Sequence, residues 1–174
     1  REFRPEQPAL LMHCLAVGVS RSGKTTLCKA LASAFNKSAV VGVYDPLLTE
    51  WDADFVTDDF RKFVEFAQAN TSGYMFVDEA YTIKDKEHRA MLNACLTRGR
   101  HYGHSFILIS QRFTLVEPTA RNQCERVFVF KQAPRDADAL YDDYCHPEIK
   151  ELPKFQRGEY LDMTTFEVSK RKIF

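Results

Sequence analysis

Several short segments of this chain carry residue types whose order and spacing fit phosphate chemistry. The first, GVSRSGKTT from Gly18 to Thr26, has the form G-x-x-x-x-G-K-[ST], with Gly18, Gly23, Lys24 and Thr25 at the fixed positions. It follows the apolar run LLMHCLAV. An apolar strand entering a glycine turn that opens a helix lines up backbone N–H groups, here those of Val19, Ser20, Arg21, Ser22, Gly23, Lys24, Thr25 and Thr26, as a cradle for phosphate. Gly18 and Gly23 can take positive φ and let the backbone approach the phosphate oxygens. Lys24 would reach the β- and γ-phosphates, and the Thr25 hydroxyl would hold Mg²⁺. The pattern implies a bound nucleoside triphosphate.

The second segment is Asp78-Glu79, which ends the apolar run YMFV. Asp78 could bind the shell of a metal ion, and Glu79, offset by one residue, could orient or deprotonate an attacking water. A second carboxylate leans towards hydrolysis rather than transfer to a small acceptor. On its own the pair could equally be acidic residues drawn to a helix N-terminus, but an upstream phosphate loop favours the metal reading. The third segment is Ser110-Gln111, at the end of SFILIS. The Gln111 amide could donate to a γ-phosphate and accept from water, or simply meet solvent. Just upstream stands RGRHYG, Arg98 to Gly103. From spacing, an arginine there is either a finger reaching a neighbouring subunit or one of a pair of exposed cations at a helix end.

Strand-like and helix-like runs alternate around these segments. Leu10–Val17, Ala39–Tyr44, Tyr74–Val77, Ser105–Ser110 and Arg126–Phe130 read as strands, the first as one buried on both faces. Helical spacing runs over Lys24–Phe35, over Asp58–Gln68 with Asp58 or Thr57 as cap, and over Asp85–Arg98. Thr114–Gln123 and Pro134–Tyr144 also read as helical, and the alternating tail, Glu159–Phe174, as a terminal hairpin. The expected fold is α/β: a mostly parallel central sheet with helices on both faces, of P-loop NTPase type. No linker or repeat interrupts it, so one domain spans 1–174, with a motor core over about 10–130 and a C-terminal extension over about 131–174.

Composition bounds the partners. With 45% hydrophobic and 28% charged residues, the chain is an ordinary globular one, not a disordered one. A formal net charge of zero gives no global basic field, so any contact with a polyanion must be local or assembled from several subunits. The cysteines Cys14, Cys28, Cys95, Cys124 and Cys145 are scattered and read as reduced thiols of a cytosol-like compartment. No run is long enough for a membrane span, and no secretion signal is visible. Lys84, Lys86, His88 and Arg89 are the best local cationic group, although a solvated helix start with an Asp85–Arg89 pair is favoured. Lys170-Arg171-Lys172 reads as a solvated end. His101 and His104 lack ligand partners and read as structural. No D-x-x-G follows Asp78-Glu79, which disfavours a GTPase.

The order GVSRSGKTT, YMFVDEA, GRHYGHSFILISQR resembles the FtsK–HerA superfamily of ring-forming, DNA-pumping ATPases. Within it the chain looks most like the genome-packaging ATPases of tailless, membrane-containing icosahedral viruses. The resemblance covers roughly residues 10–130 and implies an extra strand between the P-loop strand and the Asp78-Glu79 strand, bringing Gln111 to the γ-phosphate. It implies ATP and Mg²⁺ as cofactors, with Lys24, Glu79, Gln111 and Arg100 catalytic and Thr25 and Asp78 on the metal. Arg100 would complete a neighbour's site. It further implies a ring, a hexamer or similar, around double-stranded DNA, with capsid or vertex proteins as further partners. The expected location is a packaging vertex or the host cytoplasm. A plasmid-transfer or secretion pump of the same superfamily, and a phosphotransferase acting on a small molecule, are the competing readings.

Overall fold

The computed structural model describes residues 12–174. Leu10 and Leu11, where the first strand was expected to begin, lie outside the described residues; β1 is Cys14–Val17. Eight strands form one sheet in the order β3-β2-β4-β5-β1-β6-β7-β8. The strands are β2 (Val41–Tyr44), β3 (Phe55–Thr57), β4 (Tyr74–Val77), β5 (Ser105–Ser110), β6 (Arg126–Phe130), β7 (Glu159–Met163) and β8 (Val168–Lys172). Neighbours from β3 to β6 pair in parallel, and β7 and β8 close the sheet as the expected antiparallel hairpin. Strand β5 lies between β1 and β4, so the inserted strand implied by the resemblance is present.

The buried strands divide their side chains by alternation. Leu15, Val17, Met75, Val77, Phe106, Leu108, Val127 and Val129 face one layer. Ala16, Phe76, Ile107, Ile109, Phe128 and Phe130 face the other. Helix α1 (Lys24–Phe35) covers the second layer with Leu27, Cys28 and Leu31. The first layer is covered by α2 (Phe60–Ala69), α3 (Lys86–Gly99), the short α4 (Pro118–Asn122) and α5 (Pro134–Tyr144). Every residue of β5 is buried, and each Ile, Leu or Phe so placed contributes roughly 1.5–3 kcal/mol by leaving water.

Local chemistry corrects several expectations. Helix α2 is capped by Asp59, whose carboxylate accepts from the N–H groups of Arg61 and Lys62; Asp58 is exposed, and Thr57 supports Asp59 by accepting its N–H. The helical stretch expected over Thr114–Gln123 is filled by two pieces, a 3₁₀ turn at Phe113–Leu115 and α4, divided because Pro118 can only start a helix. Asp85 caps α3 through the His88 N–H and pairs with the His88 ring at 2.7 Å, so the Asp85–Arg89 pair is not made. The short strand β3 and a 3₁₀ segment at Pro147–Lys154 were not foreseen. His104 is structural: its Nδ1 accepts the Gly73 N–H at 3.0 Å, and its Nε2 bonds the Ala67 carbonyl at 2.8 Å.

Candidate active site

Strand register gathers the chemical segments at one edge of the sheet. Val17 pairs with Ser110 and Val77 with Leu108, so the residues just beyond β1, β4 and β5 emerge together: Gly18, Asp78-Glu79 and Gln111. Two bonds fasten the entry to the phosphate loop. The Gly18 N–H donates to the Ser110 carbonyl at 3.2 Å, and the Val19 N–H to the Lys131 carbonyl at 3.0 Å. Gly18 does not adopt positive φ as expected; it is needed for closeness, because a Cβ there would stand 2.6 Å from Phe130 Cβ. Positive φ falls on Gly23 (117°) and, unforeseen, on Arg21 (62°). Helix α1 then starts with no side-chain cap, leaving its first N–H donors for a ligand.

The charged groups of this edge are buried beside one another. Lys24 is 6% exposed and Asp78 7%. Burial lowers the Lys24 ammonium from its ordinary value, and the carboxylates of Glu79 and Asp78 work against that shift. Burial pushes the Asp78 carboxyl up to about 6, with Glu79 and Asp45 adding to the shift; the Glu79 N–H, donating to Asp78 Oδ1 at 2.8 Å, and Lys24 oppose it. Glu79 has left-handed backbone angles, φ 49° and ψ 42°, a sparsely populated region for a residue with a side chain. That turn follows directly on Asp78 at the end of β4, placing two successive carboxylates at this edge.

Of the six buried side-chain polar atoms without partners among the described residues, four stand at this edge: Ser22 Oγ, Glu79 Oε2, and both side-chain polar atoms of Gln132 just beyond β6; the other two, Asn93 Oδ1 and Arg121 Nε, lie on α3 and α4. Native interiors rarely leave such groups unpaired unless a ligand, ion or water meets them. A carboxyl raised chiefly by burial, beside the unpaired Glu79 oxygen, fits a divalent cation bound with triphosphate.

Tyr81 is a member of the site that sequence reasoning missed. Its hydroxyl accepts the Gln111 amide at 3.3 Å. Burial and the neighbouring Glu79 carboxylate push its phenol up. It therefore stands between the strand-end amide and the candidate base. An aromatic two residues past Glu79 has no distinctive spacing, so only the fold reveals it. Arg112 adds a second anchor, donating to the buried Asp136 carboxylate at 2.9 Å and tying the segment after Gln111 to α5.

Arg100 is the one predicted residue that is not brought to this edge. It lies in a 3₁₀ turn ahead of β5 and pairs with Glu125, at the edge where the parallel strands begin. The six residues of β5 separate it from its own phosphate loop by roughly 20 Å.

A phosphate loop, an acidic strand end and an intervening strand carrying a polar tip define a P-loop NTPase fold. The chain belongs to the ATPase family associated with various cellular activities (AAA), matched over residues 14–132. No curated protein matches it in sequence. Among solved structures, the fold is similar to the genome packaging NTPase B204 from Sulfolobus turreted icosahedral virus 2 in complex with AMPPCP. That match has a TM-score of 0.76 and 18% identity, and covers 94% of this chain and 98% of that one. It is also similar to the conjugation coupling protein TcpA of pCW3 (TM-score 0.71, 16% identity, 94% and 60% covered) and to EssC from Geobacillus thermodenitrificans (0.69, 14%, 94% and 39%). These are fold neighbours of the kind the FtsK–HerA resemblance implied. No helix among the described residues is long and apolar enough to cross a membrane.

The Asp78 environment has a measurable consequence. Because its folded value lies above the roughly 3.9 of an unfolded chain, the fold favours the protonated form. Stability is therefore lost as pH rises from about 4 through 6, and the full cost is present at pH 7. Asp78→Asn keeps an acceptor for the Glu79 N–H and removes the buried charge. It should stabilise the nucleotide-free protein at pH 7 by ~1–2 kcal/mol, the remainder being offset by Lys24 losing a carboxylate. Urea denaturation checks this: the gain should shrink as pH falls below 6, and a loss of stability at pH 7 would contradict it.

Proposed function

We propose that this chain hydrolyses ATP, with Mg²⁺, to move double-stranded DNA, and that its task is to package a viral genome into a preformed capsid. The observation that carries the reading is the gathering of Lys24, Asp78, Glu79 and Gln111 at one sheet edge, in a fold matched over 98% of a packaging NTPase. In this reading the N–H groups from Val19 to Thr26 and the Lys24 ammonium bind and orient the triphosphate. Thr25 and Asp78 would hold Mg²⁺, which neutralises charge on the β- and γ-oxygens when bound. Glu79 takes the proton of the attacking water at its carboxylate. Gln111 reports the γ-phosphate, and Arg100 completes the site of a neighbouring subunit in a ring. Fixed donors and charges at a buried edge do most of the catalytic work. The similarity to TcpA keeps a plasmid-transfer pump as the second reading, which genomic neighbourhood separates from packaging.

Steady-state hydrolysis with and without long duplex DNA tests this. DNA should stimulate turnover, and the stimulation should fall steeply between low and moderate salt, as contacts to phosphates do. Turnover indifferent to DNA in protein that sediments as a ring would count against the motor. ADP formation only with a small acceptor present would favour a phosphotransferase.

A further inference from the structure

Strand order fixes the direction in which a bound nucleotide leaves the phosphate loop. Glu79 and Gln111 follow β4 and β5, on one side of β1, whereas β6, β7 and β8 lie on the other. With the terminal phosphate facing Glu79 and Gln111, the sugar and base extend towards β6–β8. Tyr160 pairs with Phe130 and Lys172 with Glu159, so the start of β7 and the end of β8 stand at the same edge as the phosphate loop. Two strand spacings, roughly 10 Å, separate β1 from β7, a distance a nucleoside can span from its phosphates.

The chain has a built surface there. The Gly158 N–H donates to the Ser22 carbonyl at 2.8 Å, fastening the hairpin to the phosphate loop, and the Ile173 N–H donates to the Gly158 carbonyl at 3.0 Å. Ile173 and Gly158 pack so closely on Gly23 that a Cβ there would meet them at 3.3 and 3.4 Å. Phe174 lies directly over Gly158, yet the residue remains 56% exposed. The Arg157 guanidinium sits over the ring, 5.4 Å from its centroid. An exposed aromatic ring thus stands over Gly158, which a backbone hydrogen bond fastens to the phosphate loop, on the side where the base must lie.

We propose that Phe174, backed by Arg157, is the platform on which the purine base of the bound nucleotide stacks. This rests on the nucleotide reading of the phosphate loop. A π-face accepts any purine, so the platform adds affinity for ATP and GTP alike.

The test is calorimetric binding of Mg²⁺–ATP, Mg²⁺–GTP and Mg²⁺–tripolyphosphate to the full chain and to Phe174→Ala and Phe174→Trp. Loss of the ring should weaken both nucleotides about tenfold, within the range of one base–aromatic stack, and leave tripolyphosphate unchanged. Phe174→Trp should restore nucleotide affinity. Nucleotide affinities within twofold of the parent in Phe174→Ala, or an equal fall for tripolyphosphate, would overturn the platform while leaving the phosphate loop intact as a site. A parent chain that binds neither nucleotide nor tripolyphosphate would overturn the nucleotide reading itself, and the platform with it.

Discussion

Replacing Glu79 by Gln should leave ATP binding near its parent level and abolish turnover. The amide is nearly isosteric, so it retains the left-handed turn after Asp78 and a polar group beside Tyr81. What it lacks is the capacity to take a proton from water. Loss of a positioned general base lowers the rate by roughly 10²–10⁴-fold. Equilibrium binding of an ATP analogue, measured beside steady-state hydrolysis, separates the two effects. A parallel loss of binding and turnover would move Glu79 from catalysis to the architecture of the edge.

Arg100→Ala should be as severe, by a different route. An arginine finger contributes roughly 10³–10⁵ in rate. About 20 Å of β5 lies between Arg100 and its own phosphate loop, so any such contribution acts on a neighbour. In the single chain its guanidinium pairs with Glu125, at the edge where the strands begin. Complementation makes the test sharp. Arg100→Ala subunits keep Glu79, and Glu79→Gln subunits keep Arg100, so mixing two inactive proteins should regenerate some complete sites. Measured hydrolysis in the mixture should rise well above that of either alone. No recovery in co-assembled rings would remove Arg100 from catalysis and leave it as a structural partner of Glu125.

The parts of the molecule legible in sequence were those set by local pattern. The P-loop spacing, the apolar runs of β4 and β5 and the alternating hairpin all carry their signal within a few residues, and each is where it was expected. Strand β3, only three residues long and half-buried, had too little pattern to stand out. The capping of α2 turned on which of two adjacent aspartates reaches back, a matter of backbone angle rather than composition. Tyr81 joins the site only because β4 and β5 are neighbours, and Ile173 meets Gly23 of the phosphate loop only because the hairpin folds back to it. Contacts made by topology leave no periodic trace. The same holds for Gly18, whose need for closeness to Phe130 comes from pairing across more than a hundred residues.

ATP-driven movement along DNA is tested most directly by displacement of a third strand bound to one end of a long duplex. Purified protein with Mg²⁺ and ATP should release the third strand, with a delay that grows with the length of duplex between the loading point and the triplex. Glu79→Gln should release none. DNA-stimulated hydrolysis with no length-dependent release would show that ATP turnover in this chain drives something other than movement along double-stranded DNA.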